Sequence, residues 1–220
     1  MKDLMMNKEE ARVLGSLIEK EMTTPDLYPL TLNALINACN QKTNRDPVVG
    51  YDEETVLQAL DQLKGKDLVW ESKLSRAIKY EERFTHNTQM VNKEAAVICV
   101  LLLRGPQTIG EIKSRTERMC NFSSLDDVTK TIESTALVDF VERLSRQPGQ
   151  KESRYHHTML LDAIEKETSH TDERERQNDL NPISVENERL ENLEMKVEKI
   201  YNELNELRNA FIEFKNSLNN

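Results

Sequence analysis

The chain has 220 residues, long enough for one large domain or two small ones, and carries 30 Lys+Arg against 39 Asp+Glu for a formal net charge of −9. Residues 161–220 hold 8 basic and 15 acidic side chains, a net of −7 that leaves 1–160 at −2, so neither part has the basic balance typical of a DNA-binding domain. Three scattered cysteines make no disulfide framework, and no signal peptide or run of about 20 apolar residues is present, so the expectation is a cytoplasmic protein with no membrane contact.

The first helix is expected to start at Asn7, where Glu10 completes a capping-box pattern. Val13, Leu14, Leu17, Ile18 and Met22 form its core face, and Thr23-Thr-Pro-Asp ends it. A second helix follows Thr31, a good N-cap, with Leu32, Leu35, Ile36 and Cys39 as its apolar stripe. Asn33, Asn37, Asn40 and Asn44 make a second stripe beside it. Asn is a poor interior helix residue, so these amides have either an external polar surface to bind, adenine included, or the chain's own loops. The second is the expectation.

A third helix, Asp52 to Lys66, packs through Val56, Leu57, Leu60 and Leu63. Leu68–Trp70 reads as a strand, Ile78, Tyr80 and Phe84 as its partner, and Lys73 to Ala77 as the hairpin tip. Three helices and a hairpin follow the winged-helix order. The pattern then recurs: a helix from Asn92 to Arg104, a second behind Thr108 with Glu111 as its capping-box partner, a third from Ser124 to Ala136, and a hairpin. In that hairpin Val138, Phe140 and Leu144 alternate, a turn holds Pro148-Gly149, and Arg154 to Leu160 returns.

The repeat offset shrinks from 85 residues (Lys8 to Lys93) to 77 (Pro29 to Pro106) to 69 (Leu68 to Leu137). The first copy therefore carries about eight extra residues at each of two joints, around Thr23–Tyr28 and Asn44–Tyr51. Extra loop length on an economical repeat is the sequence's pointer to a site.

The stretch Tyr28–Pro47, YPLTLNALINACNQKTNRDP, resembles the signature of the bacterial YceH-like family. The resemblance covers about residues 7–160 and implies tandem winged helices with a variable coiled-coil tail. It implies no catalytic residue and no ligand. The expected fold is mainly α with small β-hairpins (α+β): winged-helix domains at 1–90 and 91–160, a polar linker at 161–181, and a coiled-coil helix at 182–220. In that helix Leu190, Leu193, Val197, Ile200, Leu204, Leu207, Phe211, Phe214 and Leu218 alternate spacings of three and four. Arg189 faces Glu194 and Glu203 faces Arg208 across a parallel pair, so a homodimer is expected, against a helix folded back on its own body.

Catalysis has no support, for the chain lacks a phosphate loop, HExxH, Cys-x-x-Cys and a nucleophile elbow. His156 and His157, adjacent on a strand, point to opposite faces and read as solvated wing residues. His86 and His170 have no Cys or His nearby. No cofactor or metal is expected.

DNA binding is the usual task of a winged helix, yet the third helices begin Asp52-Glu-Glu54 and Asp126-Asp127, and acids there oppose phosphates. The basic candidates are Lys73, Arg76 and Lys79 in the first wing, Arg143, Arg146, Lys151 and Arg154 in the second, and Lys42 and Arg45 in the second joint. The expectation is a non-enzymatic, transcription-regulator-like dimer that contacts DNA through these wings. The alternative is a protein-interaction scaffold, similar in general design to the kleisin-binding winged-helix subunits of chromosome-condensing complexes. Under it, Asn33, Asn37, Asn40, Asn44, Arg45 and Asp46 would bind a partner.

Overall fold

A computed structural model describes residues 4–73, 77–146 and 152–160. The chain divides into a unit Met1–His170 and a unit Thr171–Asn220. The expected linker and coiled-coil seam lie outside the described residues, all of which belong to the first unit.

Helix α1 (Lys8–Thr23) starts where the sequence places it. Asn7 Oδ1 accepts the Glu10 amide at 2.8 Å and Glu10 Oε2 accepts the Asn7 amide at 2.7 Å. Its apolar face predicts one packed side, but every residue from Glu10 to Glu19 is buried. The reason is a second partner: α1 packs on α2 (Leu32–Cys39) and α3 (Glu53–Gly65), and also on α5 (Asn92–Arg104). Gly15 permits that approach, since a Cβ there would lie 3.0 Å from Leu102 and Leu103. The two sequence repeats thus share one core.

A 3-10 turn (Pro25–Leu27) leads to β1 (Leu30–Thr31), a strand too short for any periodicity to announce. It pairs antiparallel with β3 (Lys79–Glu82), Leu30 opposite Tyr80, and β3 pairs with β2 (Val69–Ser72), giving the order β1-β3-β2. Thr31 caps α2 and Asp52 caps α3, as expected. The strand expected through Ile78, Tyr80 and Phe84 is corrected: alternation buries Tyr80 and Glu82, Ile78 is exposed, and Phe84 opens the short helix α4 (Phe84–Asn87). From there Phe84 meets Phe140 of the second repeat edge to face, with centroids 5.4 Å apart.

The second repeat follows the same order. Helix α5 ends at Gly105, whose φ is +66°. Gln107 then forms a single antiparallel bridge to Tyr155, the counterpart of Leu30 with Tyr80. Helices α6 (Ile109–Thr116) and α7 (Leu125–Ile132) precede the hairpin β4 (Val141–Arg143) and β5 (Tyr155–His157). Here two expectations move. Helix α7 stops four residues early in a run of turns, so Val138 is exposed and the strand begins at Val141.

Candidate functional sites at the two joints

The second joint is fastened from inside. Asn40 at the end of α2 clamps Tyr51: Nδ2 donates to the Tyr51 carbonyl at 2.7 Å and Oδ1 accepts its amide at 2.8 Å. Asn44, with φ +60°, accepts from Arg104 of α5 at 2.6 Å. Asp46 donates its amide to the Leu103 carbonyl at 3.0 Å. Arg45 is buried; it donates to the Ala38 carbonyl at 2.8 and 3.1 Å and pairs with Glu19 of α1 at 2.7 Å. Arg12 reaches from α1 to the Pro47 carbonyl at 2.6 Å. Burial works to raise the Glu19 carboxyl, but the hydrogen bond and charge of Arg45 outweigh it and hold Glu19 below its ordinary range. The Arg12 guanidinium is lowered by burial and then by the like charge of Arg45.

This geometry sorts the sequence candidates. Arg45 leaves both lists: its guanidinium faces Glu19 and a helix end, with no open side for phosphate or partner. Asn40 and Asn44 serve the fold, whereas Asn33, Asn37, Lys42 and Asp46 are exposed.

The wings are less open than their composition implies. Lys73 is exposed but reaches Glu71 at 3.2 Å, and Lys79 is half-buried on β3. Arg154 lies against Glu111 at 2.8 Å and donates to the Pro106 carbonyl at 2.9 Å. Arg143 and Arg146 remain exposed, with Arg146 Nε 3.4 Å from the Ser153 hydroxyl. Arg76 and Lys151 lie outside the described residues. The exposed side chains of α3 and its cap include Asp52, Glu53, Glu54 and Asp61. On α7, Asp126 is exposed and holds Lys130 at 2.7 Å.

The histidines also move from their expected places. His156 and His157 stack, with centroids 4.6 Å apart and rings 24° from parallel, and His157 is buried beside a cavity of about 350 Å³ at the second joint. Burial and then His156 push the His157 imidazole down to about 3. The solvated-wing reading fails for it because Leu101 and Leu102 of α5 line the same cavity.

A second cavity, of about 360 Å³, lies against the end of α1, β3 and α4, lined by Glu21, Met22, Glu82, His86, Met90 and Met119 among others. Tyr28 fixes one side: its hydroxyl accepts the Glu82 amide at 2.6 Å. Glu82 is 2 % exposed; its carboxylate accepts the Thr85 amide at 3.0 Å and the Thr85 hydroxyl. One ligand-type atom from each of Glu21, Glu82 and His86 lies within 4.8 Å of the others. Burial, then the charge and hydrogen bond of Glu82, raise the Glu21 carboxyl to about 7. Sequence reading missed all three. The available signal was His86 four positions after Glu82, hidden by reading Phe84 into the strand rather than into the turn that brings His86 back over Glu82.

Comparison with known proteins supplies kinship. A family profile described as "Protein of unknown function, DUF480" matches residues 6–150. The chain is 53 % identical over 154 residues to a UPF0502 protein of Solibacter usitatus, covering 70 % of this chain and 75 % of that one. It is 41 % identical over 219 residues to a UPF0502 protein of Saccharophagus degradans, covering 93 % and 97 %. A UPF0502 protein of Hahella chejuensis is 43 % identical over 207 residues, covering 90 % and 92 %. The YceH-like resemblance of Tyr28–Pro47 is consistent with these matches.

Proposed function

The chain belongs to the DUF480 family, and from that premise we propose that it is a non-enzymatic regulatory scaffold of tandem winged-helix design whose third helices receive a basic segment of a protein partner. The winged-helix reading is supported by the sheet order β1-β3-β2 behind three helices, and by its repetition with the Gln107–Tyr155 bridge in place of β1. The observation that carries the function is charge placement. The helices that would enter a DNA groove present Asp52, Glu53 and Glu54 outward, with Asp61 and Asp126 beside Lys64 and Lys130, while Arg45, Arg154 and Lys73 are matched to Glu19, Glu111 and Glu71. Such faces repel phosphate and attract a cationic peptide.

Trp70, half exposed on the outer strand β2 with the Arg83 guanidinium 4.5 Å from its ring centroid, offers an aromatic anchor in the same repeat. The heptad seam from Leu190 to Leu218 would join two such scaffolds. DNA binding through the second wing is the competing reading, favoured by the exposure of Arg143 and Arg146.

Fluorescence anisotropy with random-sequence duplex DNA, titrated over salt, separates the two. The scaffold reading expects no binding even at low ionic strength, where screening is weakest. It also expects a photo-crosslinker at Gln58 on the exposed face of α3 to capture, in cells, a protein partner that the E53K/E54K variant, which keeps the Asp52 cap, no longer captures. DNA binding that weakens steeply with salt and disappears in R143E/R146E would overturn it.

A further inference from the structure

The cavity against the end of α1 gathers two carboxylates and an imidazole from separate elements: Glu21 from the last turn of α1, Glu82 from the end of β3, and His86 from α4. What is missing there is positive charge. Among the described residues Glu82 has no ion pair, and Glu21 has only the His86 Nε2 at 3.9 Å. Two residues earlier on the same helix, Glu19 is met by Arg45 and Lys20. The guanidinium of Arg83, which lines an adjoining pocket with Glu21 and Glu82, is over the Trp70 ring instead. A buried carboxylate without a cation is costly, as at Glu82, and a dication would neutralise it together with the half-buried Glu21.

We propose that Glu21, Glu82 and His86 form a binding site for a divalent transition-metal ion of the zinc type. The donor set decides the class: an imidazole beside two carboxylates suits zinc and its borderline neighbours, whereas magnesium and calcium prefer oxygen alone. Three protein ligands facing a cavity leave a fourth position for water or a small ligand. The supporting shell is present. Thr85 holds the Glu82 carboxylate through amide and hydroxyl, and Tyr28 holds the Glu82 backbone. Two donors on one tetrahedral zinc lie about 3.4 Å apart given bonds of about 2.1 Å. Glu21 and the His86 Nε2 are 3.9 Å apart, so these two ligands must close by about 0.5 Å. The His86 side chain, 74 % exposed, has room to make that movement. A bound ion would tie the end of α1 to the hairpin and α4.

Titration calorimetry of the purified full chain with Zn²⁺ alone, and separately with Mg²⁺, tests the site. One Zn²⁺ per chain is expected, with affinity lowered roughly tenfold or more in both H86A and E21Q. Co²⁺ substitution should give a visible spectrum with an imidazole ligand that H86A abolishes. Because His86 is exposed, H86A should keep the wild-type melting temperature in chelator and lose only the upward shift that Zn²⁺ produces in the wild type. Absence of saturable Zn²⁺ binding, Zn²⁺ affinity unchanged in H86A, or Mg²⁺ bound as tightly as Zn²⁺ would each overturn the assignment.

Discussion

Arg45 and Glu19 form an ion pair at 2.7 Å in which the guanidinium is wholly shielded from solvent and the carboxylate nearly so. The same guanidinium closes the C-terminal end of α2 through the Ala38 carbonyl. Removing one partner leaves a buried charge without its counter-ion. R45A and E19A are each expected to destabilise the fold by about 3–5 kcal/mol, read from urea unfolding midpoints. R45K keeps the charge but not the fork to Ala38, and should recover only part of the loss. An R45A protein within about 1 kcal/mol of wild type, on the order of a surface pair, would refute this account.

The amide stripe divides into two classes. Asn40 makes two hydrogen bonds to the Tyr51 backbone, whereas Asn33 and Asn37 are exposed on α2. N40A should cost about 1–3 kcal/mol by leaving the Tyr51 amide and carbonyl unpaired. N33A and N37A should stay within about 0.5 kcal/mol of wild type. Equal effects at all three positions would show that the clamp contributes nothing.

That division marks the reach of the sequence. Capping boxes at Asn7 and Thr108, the Thr31 cap and the span Asn92–Arg104 were legible because they depend on residues three or four positions apart. The recurring element order was legible too, and the second extra joint lines a cavity, whereas no residue from Thr23 to Tyr28 lines the cavity of Glu21, Glu82 and His86. What stayed hidden depends on α5 lying across α1. That packing buries His157, gives Arg104 to Asn44, and makes α1 a helix buried on every side. A count of basic residues likewise could not show that Arg154 would turn onto Glu111.

Gly15 sets the α1–α5 distance. G15A puts a methyl 3.0 Å from the Leu102 and Leu103 side chains, while helix propensity returns up to about 1 kcal/mol, so its net effect should be small. G15L cannot be absorbed and should destabilise by about 1–3 kcal/mol or more through overpacking. If G15L melted with the wild type in calorimetry, the two repeats would not share a tight interface at this point.

Two titratable groups, His157 buried and Glu21 half-buried, pull stability in opposite directions with pH. His157 sits near 3, below its ordinary 6.5, so the unfolded chain binds its proton first. Its contribution is fully present above pH 6.5 and falls by about 2 kcal/mol by pH 5. Glu21 is raised from 4.5 to about 7 by burial and by Glu82, with Glu81 adding. Its contribution is fully present below pH 4.5 and is lost as pH rises through 7, discounted to about 1 kcal/mol because a third of the side chain meets solvent. Wild-type stability should therefore fall between pH 7 and 5, but by only about 1 kcal/mol, because Glu21 offsets part of the His157 loss. H157N removes the acid loss and should become more stable as pH falls over that range. E21Q removes the opposing term and should lose stability more steeply than wild type. Urea midpoints for the three proteins in chelator at pH 5, 6, 7 and 8 decide the matter: parallel profiles would mean that neither group is titrated by folding.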